Sequence, residues 1–290
     1  MNMTSIQNNM QKVLVADSGS TKTDWALGDV RVTTQGLNPF HQDDETILRV
    51  LREELLPQLS SHLSPLTSPL HIRFYGSGVR PDQEARMQGL LREVFPHAQT
   101  IEAKSDMLGA ARAVCGSREG IVCILGTGAN SCLYDGEKMV ANTPPLGYIL
   151  GDEGSGAVLG VRFLNALYKN RMYAGACEEF ERYMGLSMAD VITRVYRQPM
   201  ANRWLASLSE YISARLEHPE VRDIVVQNFR DFISRNIRPY GRPDLALNAV
   251  GSIAYYYREQ LAEAAEAEGY RLGRVLRSPI DGLATTNFTN

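Results

Sequence analysis

Two stretches of the chain share one layout. "VLVADSGSTKTDWAL" runs from Val13 to Leu27, and "IVCILGTGANSCLYDGEKMV" from Ile121 to Val140. Each is an apolar strand that stops at a glycine turn and resumes as a second strand. Gly19-Ser20-Thr21 in the first lines up with Gly126-Thr127-Gly128 in the second. An internal echo of this kind marks a duplicated unit, so a fold that uses the same strand–turn–strand element twice is expected.

The segments between and after the two copies alternate in period. Residues 13–34 read as a hairpin or meander, and 44–59 as a helix with Ile47, Leu51, Leu55 and Leu59 on one face. A short strand over 71–75 ends in Gly76-Ser77-Gly78. Helix 81–95 follows with Pro81 in its first turn, then helix 104–115, started by Ser105 or Asp106. The second half is mostly helical, over 155–169, 176–184, 187–197, 200–216 and 219–236. A strand over 244–250 leads into Gly251-Ser252 and a helix to 268, and a last strand over 273–277 precedes Ser278-Pro279 and a tail. Alternating strands and helices predict an α/β protein, and 290 residues without a low-complexity linker suit one large domain or two closely joined ones.

Bulk composition removes several classes of function. Net charge is −3 with no basic block, so nucleic acid is not an expected partner. Apolar runs are too short to span a membrane, and residues 1–10 lack the layout of a signal peptide; they read as a polar, disordered leader. Four cysteines (Cys115, Cys123, Cys132, Cys177) form no Cys-x-x-Cys pair, and five histidines form no helical His-x-x-x-His. The expectation is reduced thiols in a cytoplasmic protein, with neither disulfides nor zinc.

The turns carry the chemistry. A strand ending in a tight glycine turn points several backbone N–H groups one way, which makes an anion cradle. Ser20, Thr21 and Thr23 add hydroxyl donors and Lys22 a cation, a set suited to phosphate. Asp17 would repel phosphate unless a cation lay between them, and Mg²⁺ bridges a carboxylate to phosphate oxygens. Asp17 is therefore the candidate metal ligand, and ATP with Mg²⁺ the expected pair. Gly126, Thr127 and Gly128 offer a second set of amides and hydroxyl, as if two hairpins gripped one polyphosphate. A polar hairpin tip capped by Asp17 is the plainer alternative for the first turn alone. Other phosphate motifs are excluded: no Gly-Lys dipeptide exists for a Walker loop, and Gly126-Thr127-Gly128-Ala129-Asn130-Ser131 ends in serine where the dinucleotide fingerprint needs glycine.

Asp17-Ser18-Gly19-Ser20-Thr21-Lys22-Thr23 resembles the first phosphate motif of the actin-like superfamily of sugar kinases, acetate kinase, chaperone ATPases and actin. Gly126-Thr127-Gly128 resembles the second, and Val250-Gly251-Ser252 the adenosine motif. Within the superfamily the chain is similar to the N-acetylglucosamine kinases, which share a sequence family with dehydratase-activating ATPases, over about residues 12–288. The resemblance implies a two-lobed α/β fold of actin-like (ribonuclease H-like) type, with duplicated mixed-sheet domains around a central cleft. The first lobe would hold 12–113 plus 278–290 and the second 114–277, with a homodimer formed through the second.

Asp106, in "AKSDMLGAA", fits either an N-capping residue or a base near an attacking hydroxyl; the resemblance implies the base. It also implies that Asp152, Asn38, Asn130 and the backbone around Gly147-Tyr148 contact the sugar, Tyr148 standing where some relatives carry tryptophan. The implied reaction is phosphorylation of the 6-hydroxyl of an N-acetylhexosamine, N-acetylglucosamine first, with glucosamine and N-acetylmuramic acid as alternatives. The rival is a conformational-switch ATPase of the dehydratase-activator type. Such activators hold an iron–sulfur cluster through a cysteine in a glycine-rich loop that this chain lacks. Chaperones and actin also place an acid in the second hairpin, where Ile124 or Leu125 stands here. Both differences favour the kinase.

Overall fold

The computed structural model describes residues 12–19, 21–63 and 69–285. The leader and Ser20 lie outside the described residues. The chain divides into two compact units, described over 12–109 with 279–285 and over 110–278.

The first unit opens with an antiparallel meander, β1 (Lys12–Ser18), β2 (Lys22–Leu27) and β3 (Val30–Gln35). Helix α1 (Asp44–Arg49) continues through a π-wound stretch (Val50–Leu55) into α2 (Leu56–Leu63). Then come β4 (Leu70–Gly76), α3 (Glu84–Val94), β5 (Ala98–Ser105) and α4 (Asp106–Cys115), which carries the chain into the second unit. The sheet order is β3-β2-β1-β4-β5, with β1 antiparallel to β2 and parallel to β4. Edge strand β3 alternates buried and open positions, whereas β4 is buried at every position but Arg73, as a central strand covered on both faces should be.

The second unit contains β6 (Gly120–Leu125), β7 (Ala129–Tyr134), β8 (Met139–Thr143), α5 (Gly147–Leu150), α6 (Gly156–Tyr168), α7 (Ala176–Met184), α8 (Met188–Tyr196), α9 (Ala201–Ser213) and α10 (Pro219–Phe232). A π-wound extension (Ile233–Ile237) follows, then β9 (Ala246–Val250), α11 (Ser252–Tyr256), α12 (Arg258–Ala267) and β10 (Arg271–Leu276). Its sheet order is β10-β9-β6-β7-β8. Read from the other end, strand for strand, this repeats the first sheet: an antiparallel meander joined through its first strand to two parallel strands. The echoed turns occupy the same place in both, between the first and second strands. The two units differ in what joins the third strand to the fourth, one interrupted helix in the first and the helices α5–α10 in the second.

Ile47, Leu51, Leu55 and Leu59 are buried, as their spacing predicts. A strict four-residue repeat drifts around an α-helix of about 3.6 residues per turn; the wider π winding over Val50–Leu55 brings it back into line. Several boundaries differ from expectation. Helix α3 starts at Glu84, because Arg80 O accepts from Gln83 N at 2.8 Å and closes a turn in which Pro81 sits, ahead of the helix. Residues 98–105 form β5, so Lys104 belongs to a strand and the helix expected over 104–115 begins at Asp106. The helix after Gly251 breaks at Tyr257, whose side chain is 1% exposed and whose hydroxyl donates to Ser209 O.

Candidate active site

In the first unit one row of paired residues, Thr23–Ser18–Gly76–Ser105, crosses the sheet at the carboxyl ends of β1, β4 and β5. Loops leaving that edge of an open α/β sheet are where ligands bind, and the predicted residues cluster there. Asp17 lies one position inside the row. The turn after it is closed by Gly19 N–H donating to Lys22 O at 3.0 Å. Gly76-Ser77-Gly78 packs beside it, with Ser77 N–H donating to Ser18 O at 2.8 Å. Asn38 joins this group: a Cβ on Gly78, which has φ +82°, would lie 2.0 Å from Asn38 Oδ1. That oxygen accepts from Phe40 N–H at 3.0 Å, which fixes the carboxamide.

Not every predicted phosphate ligand points outward. The Thr23 side chain is fully buried; its hydroxyl bonds Ser18 Oγ at 2.6 Å and accepts from Leu37 N–H at 3.2 Å, so it braces the turn from inside. The Lys22 ammonium rests on Asp24 Oδ2 at 2.6 Å along the exposed face of β2. Thr21 is exposed.

Asp106 begins α4, where the two readings made from sequence part. Ser105 Oγ accepts from Leu108 N–H at 3.3 Å, the three-residue reach of an N-cap. Asp106 Oδ1 accepts from the adjacent Met107 N–H at 2.8 Å, a reach too short for an N-cap. Serine caps the helix, and the aspartate is left available for chemistry. Burial raises the Asp106 carboxyl above its ordinary range, against the acceptor bonds from backbone amides.

In the second unit, Gly126 N–H donates to Gly128 O at 3.0 Å, and the first amides of α6, Gly156 and Ala157, donate to the carbonyls of Gly126 and Thr127. The segment ahead of α6 is held as firmly. Ser155 is its N-cap, and the buried Asn228 donates to Ser155 O and accepts from Gly154 N–H. Glu153 pairs with Arg235 at 2.7 Å and bonds Asn236, so the second acid of Asp152-Glu153 anchors the segment to the π-wound extension after α10. Asp152 itself is at φ +52°, and the backbone amides of Gly147 and Ala129 act to lower its carboxyl's pKa. Burial, reinforced by the Glu153 charge, pushes its carboxyl up to about 6. The structure thus brings together Asp152, Gly147 and the Gly126–Asn130 turn. The Tyr148 ring packs partly buried against the helical core of this unit, while its neighbours Ile149 and Leu150 are exposed.

The adenosine motif meets the second turn directly. Gly251, at φ +114°, lies so close to β6 that a Cβ on it would sit 2.2 Å from Leu125 O. Beside it opens a cavity of about 600 Å³ walled by Gly126, Thr127, Ser252, Tyr256 and the α9 face bearing Arg203 and Glu210. The α9 residues escaped the sequence reading, since their only signal was a helical period. Among the described residues no group of three or more His, Cys, Asp or Glu forms a metal cage. Magnesium that arrives on phosphate and keeps its waters needs only one or two carboxylates, and Asp17 at the mouth of a glycine turn fits that demand.

No family model matches the chain. A Porphyromonas gingivalis protein of known structure, described as a candidate N-acetylglucosamine kinase, is 47% identical with a TM-score of 0.89, over 94% of this chain and 98% of that one. A Chromobacterium violaceum structure of the same description shares the fold at 18% identity and a TM-score of 0.70, over 95% of this chain and 98% of that one. A curated Clostridium acetobutylicum protein, an N-acetylmuramic acid/N-acetylglucosamine kinase, is 24% identical over 219 residues, 71% of each chain. Duplicated sheets, paired glycine turns and this likeness define a sugar kinase of actin-like ATPase fold. The chain belongs to the N-acetylglucosamine kinase family.

Proposed function

We propose that this enzyme transfers the γ-phosphoryl group of ATP to the 6-hydroxyl of N-acetylglucosamine. The observation that carries the reading is the division of labour at α4: Ser105 caps the helix, so Asp106 is available as a base with a raised pKa. In the reaction the sugar oxygen bonds to the γ-phosphorus, the bond from that phosphorus to the β–γ bridging oxygen breaks, and Asp106 takes the hydroxyl proton. ADP leaves. Gly19, Ser20, Thr21 and Lys22 with Gly126, Thr127 and Gly128 hold the phosphates, and Thr23 supports the first turn. Gly251 and Ser252 border the adenosine pocket. Bound at Asp17, Mg²⁺ would neutralise charge on the phosphate oxygens. Asn38, Asn130, Gly147, Tyr148 and Asp152 belong to the sugar site, and a homodimer in the cytoplasm completes the reading.

N-acetylmuramic acid is the second substrate to weigh, because the curated relative's name carries both sugars. A panel of N-acetylglucosamine, N-acetylmuramic acid and glucosamine, with ATP and Mg²⁺, tests the assignment by ADP release, and ³¹P–¹H correlation locates the new phosphoester. Turnover that no sugar stimulates, or an ester at another hydroxyl, would sink it.

A further inference from the structure

The carboxamide of Asn130, on β7, has its direction dictated by the main chain around it. Its Oδ1 accepts from Ser131 N–H at 2.8 Å and from Asn142 Nδ2 at 2.9 Å. A backbone N–H only donates, so the atom facing it must be oxygen. The same Asn142 Nδ2 donates to Ser131 O at 2.6 Å, and a carbonyl only accepts, so that atom must be nitrogen. Neither amide can be turned over without facing donor with donor or acceptor with acceptor.

The strand that carries Asn142 is itself fixed. Thr143 N–H donates to Tyr240 Oη at 3.0 Å, Thr143 Oγ1 donates to Asn236 O at 2.8 Å, and Tyr240 Oη bonds Ser131 Oγ at 2.7 Å. Asn142 lies opposite Cys132 in the β7–β8 ladder, one residue along from Ser131, and so meets Asn130 diagonally.

With Oδ1 engaged twice, Asn130 offers only its Nδ2 hydrogens, which have no partner among the described residues. Close by, the Asp152 carboxylate lies against Gly128, where an added Cβ would be 2.9 Å from Asp152 Oδ2; when ionised, that group only accepts. A donor-only amide on β7 and an acceptor-only carboxylate beside the turn that leads into that strand thus lie near each other. Hydroxyl oxygens can satisfy both.

We propose that Asn142 is a positioning residue for the kinase reaction: it locks Asn130 as a hydrogen-bond donor toward an oxygen acceptor of the sugar. This rests on the reading of Asn130 as a sugar contact.

The test is a double-mutant cycle on the full-length enzyme, with steady-state constants for N-acetylglucosamine and ATP. Asn130→Ala should raise the sugar KM about tenfold, the equivalent of one hydrogen bond. Asn142→Ala should produce much of that rise, with kcat and the ATP KM within about twofold of the parent. Adding Asn142→Ala to Asn130→Ala should cost nothing more, because Asn142 acts through Asn130. Asn142→Asp keeps the shape but turns a carboxylate oxygen on two acceptors; it should match or exceed Asn142→Ala and serves if the alanine variant folds poorly. A normal sugar KM in both Asn142 variants, with a raised one in Asn130→Ala, overturns the positioning role and leaves the sugar contact standing. Full additivity in the double variant overturns it too, since a loosened β8 would act independently. A normal sugar KM in Asn130→Ala removes the sugar contact and the proposal with it.

Discussion

The Asp152 carboxylate lies against Gly128: a Cβ on the glycine would be 2.9 Å from Asp152 Oδ2. This contact joins a predicted phosphate residue to a predicted sugar residue. The second glycine of Gly126-Thr127-Gly128 leaves room for the carboxylate.

The two glycines of that turn should therefore fail differently. In Gly128→Ala the methyl displaces Asp152, and the sugar KM should rise by roughly tenfold or more, the loss of at least one charged hydrogen bond. A Cβ on Gly126 meets nothing within 4 Å in the protein, yet that residue borders the nucleotide cavity, so Gly126→Ala should act on the ATP KM. Kinetics varied in both substrates decide this, and the reverse pattern would break the assignment of the turn's two sides.

Asp152 also predicts a pH dependence. Its carboxyl titrates near 6, mainly because burial disfavours the charged form. On the proposed reading an ionised Asp152 accepts from sugar hydroxyls, so sugar binding measured without ATP should tighten toward pH 6 and level above it, and Asp152→Asn should erase that step. Stability should run the opposite way. The folded pKa is above that of a free carboxyl, so this group's contribution is present below about pH 4 and is lost as pH rises through about 6. Chemical denaturation of the sugar-free protein at pH 4.5 and 7 checks it, with Asp152→Asn as the control lacking that slope.

The duplicated sheets were legible because both copies carry the same strand–glycine–strand pattern, and the long amphipathic helices because their period is strong. The strand over Ala98–Ser105 was not: "AQTIEAKS" is polar at five of its eight positions, and only pairing with β4 makes it a strand. Residue types alone placed Asp17 and Gly19 at the end of a strand and Asp106 at the start of a helix. They could not show that Thr23 faces inward, because the buried partner of its hydroxyl, Ser18, belongs to the same polar run. Nor could they separate Ser105 from Asp106 as the cap, since either residue type serves.

Gly251 offers a test of the fold beneath the adenosine pocket. At φ +114°, with Leu125 O 2.2 Å from any added Cβ, the position excludes a side chain twice over, by conformation and by a backbone atom that cannot rotate away. Gly251→Ala should lose about 1–3 kcal/mol from strain alone, seen as a lower urea midpoint, together with a raised ATP KM. An alanine variant as stable as the parent would mean that β6 and the Gly251 turn are further apart than described.

The sharpest comparison is between neighbours at the start of α4. Ser105→Ala removes the hydroxyl that accepts from Leu108 N–H. It should cost about 0.5–2 kcal/mol of stability, with kcat retained. Asp106→Asn keeps an oxygen for Met107 N–H, so the fold should survive. What it loses is the ability to accept the hydroxyl proton, and removing a general base costs about 10²- to 10⁴-fold in rate. That loss should fall on kcat, with sugar and ATP binding largely preserved, because asparagine can still bond the hydroxyl. Melting temperature and kcat measured on both variants separate the roles. A stable, slow Asp106→Asn beside a less stable, active Ser105→Ala is the expected pair. An active Asp106→Asn would leave the carboxylate without a part in catalysis, and the proton would have to go to another acceptor.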